Sequence, residues 1–282
     1  MAALLEVADV HRVYSLGTIL SRHRLRAVDG VSFTMEAERP EIFTIVGESG
    51  SGKTTLARMI LNMVAPSSGA IRFRGQDLSQ IRGGAARLAF MRQVQPIFQN
   101  PFEAFNPLKK IDRYLFMTAR HIAGLATVPE IEAATDQALR NVGLSLGEIR
   151  GRYPHELSGG QLQRIAIARS LISKPALIVA DEPVSMVDAS LRMSIVNLLR
   201  NLRDGMGVSI IYITHDLATA YYISDRIIIM NKGRVVESGA ARAVLDNPQH
   251  PYSIRLKQAV LSPDAAGSAG RLLAENAASA GQ

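Results

Sequence analysis

Gly47-Glu-Ser-Gly-Ser-Gly-Lys-Thr54 satisfies the pattern G-x-x-x-x-G-K-[ST] at every fixed position. The chemistry follows from the residue types. Glycines let the backbone wrap so that successive N–H groups point inward at a phosphate chain. A lysine at Lys53 reaches the outer phosphates, and a hydroxyl at Thr54 is a ligand for Mg2+. A second set of polar groups follows an apolar run: Leu177-Ile-Val-Ala-Asp181 is followed by Glu182. Adjacent carboxylates repel unless a cation offsets them. In a phosphate-loop enzyme the first acid holds Mg2+ and the second polarises an attacking water. An acid at such a place also serves as an ordinary helix cap.

Further candidates lie beside these. Leu157-Ser-Gly-Gly-Gln161 leads into a helix beginning near Leu162, and glycines with a serine at a helix start bind anions. One chain then carries two phosphate-binding surfaces, the second serving a nucleotide held by another copy or partner; the bland alternative is a flexible helix cap. His215 ends the apolar run Ile211-Tyr-Ile-Thr and is placed to sense a γ-phosphate, although a histidine there is often structural. Gln99 stands where Phe98-Gln-Asn-Pro101 leaves an apolar segment, and its amide oxygen is a ligand for Mg2+ or water.

These groups need elements to hold them. Ile42–Val46 reads as a buried strand, and Thr55–Leu61 as a helix after the loop, the setting that the glycine pattern requires. Residues 4–14 alternate as a strand, residues 15–26 read as an insertion or long loop, and Ala27–Phe33 resumes strand character. Pro66–Gly69 is a turn before a strand at 70–74. Ile111–Ala123 and Pro129–Val142 have helical spacing. Residues 176–180 and 208–213 are short apolar strands, as in a parallel sheet. Residues 227–230 and 233–237 read as a hairpin. No internal repeat is seen, and from Ser262 the composition shifts to Ala, Gly and Ser, a mobile or weakly helical tail.

The 282 residues carry 47% hydrophobic side chains and a formal charge of +7, with a mean hydropathy of +0.09. This is the composition of a folded globular chain. No run approaches the ~18 apolar residues of a membrane span, and the first residues lack the marks of a signal peptide; a cytoplasmic protein is expected. Cysteine is absent, which excludes disulfides, cysteine metal sites and thiol catalysis. The basic stretch from His11 to Arg26 has no nucleic-acid motif beside it and reads as a solvated loop.

In this order the motifs resemble the nucleotide-binding subunit of ATP-binding cassette (ABC) transporters, over about residues 4–260. The resemblance implies an α/β fold: a RecA-like phosphate-loop core, an antiparallel β subdomain and an α-helical subdomain. It implies an ATPase domain over 1–261, with the helical part at about 100–160, a C-terminal extension at about 240–261, and the tail at 262–282. Transferred residue by residue, it makes Tyr14 the aromatic that stacks on adenine. ATP is held by Gly47, Glu48, Ser49, Gly50, Ser51, Gly52, Lys53, Thr54 and Thr55. Mg2+ falls to Thr54, Gln99 and Asp181, and catalysis to Glu182, His215 and Gln99. Ser158, Gly159, Gly160, Gln161 and Asp188 are expected at the ATP of a second ATPase subunit, a paralogue or a copy of this chain.

Segments Phe98–Pro107, Arg152–Glu156 and Asn247–Tyr252 resemble the oligopeptide, dipeptide and nickel importer group, and within it the F-type partner. The implied assembly adds two membrane permeases and a solute-binding protein, with the ATPase peripheral on the cytoplasmic face of the membrane. Its helical region, between Gln99 and Leu157, is expected to carry a groove for a permease helix. Oligopeptides or dipeptides are the expected cargo, with a cello-oligosaccharide-like cargo as the alternative within the group. A soluble ABC ATPase without a transport role is the alternative of another class, and no nucleic-acid partner is expected. Two departures stand out. The group's C-terminal cysteine cluster is missing, so no iron–sulfur centre is expected. The segment Ser185-Met-Val-Asp188 replaces the usual Ser-Ala-Leu-Asp.

Overall fold

The computed structural model describes residues 2–16, 23–100 and 104–261. In chain order it contains β1 (Ala3–Leu16), β2 (His23–Glu36), β3 (Ile42–Val46), α1 (Lys53–Ile60), β4 (Ser68–Phe73) and β5 (Gln76–Asp77). There follow α2 (Gly84–Gln93), β6 (Val94–Ile97), α3 (Ile111–Met117), α4 (Val128–Arg140), α5 (Leu146–Ile149), α6 (Gly159–Leu171), β7 (Leu177–Asp181) and α7 (Ala189–Met206). The last elements are β8 (Ser209–Thr214), α8 (Leu217–Ile223), β9 (Arg226–Asn231), β10 (Arg234–Ala240), α9 (Ala241–Asp246) and α10 (Pro251–Leu261). Two compact units result. One combines residues up to Gln80 with those from Tyr212 on; the other is Ile81–Ile211. The chain passes from the first to the second after Gln80 and returns within β8, after Ile211.

The first unit holds an antiparallel sheet in the order β2-β1-β4-β5. It also holds a parallel pair, β3 with β9, to which β10 adds antiparallel. Strand β3 is buried along its whole length, as a strand covered on both faces must be. Val46, Leu217, Ile227, Ile229, Val244 and Tyr252 form one core cluster, so β3, α8, β9, α9 and α10 share a hydrophobic floor beneath the phosphate loop.

The expected long loop at 15–26 is corrected by the structure where it is described. Leu16 pairs with His23, Ser15 with Arg24, Tyr14 with Leu25 and Val13 with Arg26. Residues 17–22, with the basic Arg22, lie outside the described residues. The described part of the basic stretch is likewise strand rather than loop, with Arg24 and Arg26 exposed to solvent. The His11 ring sits 3.1 Å from Asp29 and 3.2 Å from Asp9, and Arg12 donates to the Ala65 carbonyl at 2.9 Å. The hairpin escaped the alternation because register shifts flank Val10, where Asp9 and Gly30 both take positive φ. Such bulges break a period of two.

In the second unit β6 and β7 are parallel, and helices α3 and α6 lie against α4. Leu115, Ile131, Leu139, Leu162 and Ile165 are buried there. The helix expected over 111–123 is α-helical to Met117 and continues as a π-turn over Thr118–Ile122. There Ala123 N–H bonds back to the Thr118 carbonyl, while Arg92 takes the Ile122 carbonyl at 2.5 Å. Boundaries elsewhere move by a few residues, α6 starting at Gly159 rather than near Leu162. The sequence reading missed α7 altogether, although Ile195, Val196, Leu199 and Leu202 bury one helical face.

Helix α4 opens on a capping box, in which Thr127 Oγ1 accepts from Glu130 N–H and the Glu130 carboxylate accepts from Thr127 N–H. Replacing Thr127 by Ala frees an N–H at the helix start. We expect a loss of about 1 kcal/mol, read as a lower denaturant midpoint; an unchanged midpoint would show the cap to be idle.

Candidate nucleotide site

Strand β3 delivers the phosphate loop and α1 leaves it. A side chain at Gly47 would place its Cβ 2.3 Å from the Met230 carbonyl oxygen, so only glycine lets the loop lie against β9. Gly52 has φ +105, and a Cβ there would stand 2.2 Å from the Ala27 carbonyl oxygen. The loop is braced on its own unit, because Gly233 N–H donates to the Ser51 carbonyl at 2.9 Å, and Asp29 N–H to the Gly233 carbonyl at 2.9 Å.

Lys53 is only 5% exposed. Its Nζ donates to the Gly47 carbonyl at 2.6 Å, the Glu48 carbonyl at 2.8 Å and Ser51 Oγ at 3.4 Å. Helix α1 begins at Lys53 with Gly52 as its cap, without a capping side chain and without an acid in its first turn. A buried ammonium, curled backbone and the positive end of a helix dipole therefore meet at one place. These residues fit a phosphate anion, because an ammonium and a helix start without an acid in its first turn both favour negative charge.

Two more candidates belong to this unit. Tyr14 is half-buried on β1, with the Arg12 guanidinium 4.6 Å above its ring centroid. A cation thus covers one ring face. His215 is exposed just beyond β8. The next residue, Asp216, caps α8 by accepting from Ala218 and Thr219 N–H at 2.9 and 3.3 Å.

The remaining candidates are on the second unit. Strand β7 is buried through Ala180, and Asp181 is partly exposed at its end. Glu182 has φ +48. This left-handed turn is held by Ser185, whose N–H and Oγ reach the Glu182 carbonyl at 3.2 and 3.0 Å. Gln99 Nε2 donates to Glu182 Oε2 at 3.2 Å, so the structure brings these two together. At the start of α6, Ser158 Oγ accepts from Gln161 N–H at 3.2 Å and Gln161 Oε1 accepts from Ser158 N–H at 3.0 Å. Gly160 is packed so closely that a Cβ would meet Leu191 Cδ1 at 2.8 Å. Asp188 is exposed at the start of α7. Residues 101–103 of the Phe98–Pro107 segment lie outside the described residues.

The sequence reading missed the loop's supports. Ala27, Met230 and Gly233 touch it through backbone atoms, which leave no mark in side-chain type. Tyr252 was singled out only as part of a group-specific segment, yet its hydroxyl accepts a hydrogen bond from Glu48 N–H at 3.0 Å.

A strand, a glycine-rich loop with a buried lysine and a helix define the phosphate-loop class of nucleotide-binding proteins. Within it, residues 28–185 match the ABC transporter family. A putative peptide import ATP-binding protein of Brucella ovis is 42% identical over 240 residues, covering 85% of this chain and 74% of that protein. The oligopeptide transport ATP-binding protein AppF of Bacillus subtilis is 38% identical over 262 residues, 92% and 77% of the two chains. The dipeptide transport ATP-binding protein DppF of Escherichia coli is 38% identical over 265 residues, 93% and 78%. Among solved structures, a dimeric ATP-binding cassette bound to ADP and Pi superimposes with a TM-score of 0.74 at 25% identity, covering 84% of this chain and 99% of that one. The structure of cbiO1 from Clostridium perfringens, part of an ABC transporter complex, gives 0.75 at 25% identity, over 97% and 100%. The chain belongs to the ABC transporter family as an ATP-binding subunit, and it is an ATPase with a phosphate-loop α/β fold.

The contact at Gly52 supplies a test. Gly52→Ala forces a Cβ into the Ala27 carbonyl at an unfavourable φ. Calorimetric titration is expected to show nucleotide affinity at least about tenfold weaker, the loop having to open; unchanged affinity would show that the loop binds in another shape.

Proposed function

We propose that this chain is the ATPase of an importer for oligopeptides or dipeptides, working with two membrane permeases, a solute-binding protein and a second ATPase chain. The buried Lys53 ammonium, held by the Gly47 and Glu48 carbonyls and Ser51 Oγ at a helix start without a side-chain cap, carries the ATP assignment. The cargo class rests on likeness to peptide and dipeptide importer subunits along most of the chain. The ATPase domain is taken as 1–261, with a helical part near 100–160 and an extension near 240–261; the tail 262–282 lies outside the described residues. Leu108 and Met117 of the helical part, and Phe98 just before it, are exposed apolar groups and suit the surface that meets a permease. Among the described residues no helix is long and apolar enough to cross a membrane. A peripheral place on the cytoplasmic face, through the permeases, is proposed from the likeness to ATP-binding subunits of import systems.

In the proposed reaction Gly47, Glu48, Ser49, Gly50, Ser51, Gly52, Thr54 and Thr55 cradle the phosphates with Lys53, and Tyr14 stacks on adenine. Thr54, Gln99 and Asp181 would hold Mg2+, which supplies neutralisation of the charge on the phosphate oxygens. Glu182 accepts a proton from water as the water oxygen bonds to the γ-phosphorus and the bond to ADP breaks. Gln99 already bonds the Glu182 carboxylate and keeps it aimed; His215 donates to the γ-phosphate. Ser158, Gly159, Gly160, Gln161 and Asp188 of each chain serve the ATP of the other.

Glu182→Gln keeps the shape and removes the base. Turnover is expected to fall about 10²- to 10⁴-fold with ATP affinity kept. On gel filtration the variant is expected to assemble with a paralogue or itself only when ATP is present. Retained turnover removes Glu182 as base, and ATP-independent elution removes the shared site.

A further inference from the structure

The segment Asn247–Tyr252 has no task in the proposed reaction, yet it reaches the phosphate loop. Tyr252, near the start of α10, is 4% exposed and sits in the core cluster with Val46, the last residue of β3. Its hydroxyl accepts from Glu48 N–H at 3.0 Å, across 204 residues of chain. Burial holds the phenol above the ordinary tyrosine value, so the hydroxyl is neutral at physiological pH.

The consequence follows from peptide geometry. Among the described residues no peptide bond is cis, so Gly47 C=O and Glu48 N–H lie in one plane and point in opposite directions. The N–H side is held by Tyr252 at 3.0 Å, and the C=O side accepts from Lys53 Nζ at 2.6 Å. Fixing one end of this rigid plane fixes the other. The hydroxyl is itself anchored. Tyr252 N–H donates to His250 Nδ1 at 3.1 Å, and the N–H groups of Gln249 and His250 donate to the two carboxylate oxygens of Glu237 at 2.9 and 3.2 Å. Glu237 lies on β10, which pairs with β9, and β9 runs parallel to β3. A closed path thus runs from the sheet, through the start of α10, back to the loop that the sheet carries.

We propose that Tyr252 is a positioning residue for the ATPase reaction: its hydroxyl sets the Gly47–Glu48 peptide so that the Gly47 carbonyl holds the Lys53 ammonium in place for the triphosphate. This rests on the reading of Lys53 as the triphosphate ligand, and the test separates the two. Binding of ATP and of adenosine is measured by titration calorimetry for the unaltered protein, Tyr252→Phe, Lys53→Ala and the double variant. Tyr252→Phe is expected to weaken ATP about five- to tenfold, the scale of one hydrogen bond, and to leave adenosine unchanged. On the Lys53→Ala background the same change is expected to cost less than about twofold, because coupled groups are not additive. If Lys53→Ala leaves ATP affinity intact, the triphosphate reading itself fails. If Lys53→Ala weakens ATP while Tyr252→Phe does not, or does so equally in both backgrounds, the positioning role is overturned. Amide exchange in the unaltered protein gives a check independent of any variant. Glu48 N–H is expected to exchange far more slowly than a solvated amide, and exchange at the solvated rate overturns the proposal.

Discussion

A lysine ammonium that is almost wholly buried must be surrounded by oxygen, and the first unit is organised around meeting that demand at Lys53. Removing such a charge from water is unfavourable unless hydrogen bonds replace the lost hydration. The replacements are the carbonyls of Gly47 and Glu48 and the Ser51 hydroxyl. They converge only if the loop curls back over its own lysine. The curl in turn needs backbone without side chains where Gly47 nears Met230 and Gly52 nears Ala27. The same curl leaves the ammonium largely dehydrated, so in the proposed reaction a phosphate oxygen would meet a cation with little water left to shed. Preorganised charge of this kind gives electrostatic stabilisation without reorganisation at the moment of reaction.

The second unit solves a different problem. An acid proposed to take a proton from water must be aimed, and the backbone sets the direction of Glu182. Its left-handed φ turns it out of the line of β7, Ser185 closes the turn behind it, and Gln99 bonds its carboxylate. The residue follows the end of the strand, and the turn sets its direction. Strain in a non-glycine residue of this sort is kept where surrounding structure over-determines it. Here the serine contacts and the Gln99 bond do so from two sides.

Local constraints were legible in the sequence and distant ones were not. The phosphate loop declares itself because its glycines, lysine and hydroxyl fall within one turn of chain, and the apolar strand before it is short and unbroken. The motif order then carried the family and the fold, which the matches to ABC transporter proteins and cassettes bear out. The β1–β2 hairpin was hidden by bulges at Asp9 and Gly30 and by charges whose partners lie far along the chain. Asp29, for instance, takes a bond from Arg234 at 2.8 Å; that cation holds its carboxyl below the ordinary aspartate value. Backbone supports such as Ala27 and Gly233 act through atoms that every residue possesses. Tyr252 was visible as part of a segment, but its contact with Glu48 depends on how α10 returns to the sheet.

The account turns on a phosphate loop built for a triphosphate. Comparing ATP with adenosine in competition for the protein isolates that claim, because base and ribose are common to both. ATP is expected to displace the nucleoside with an affinity at least about a hundredfold greater, or roughly 2.7 kcal/mol, the preference residing in the phosphates. Equal affinity would contradict it, since the buried ammonium and the open helix start would then have no part in binding.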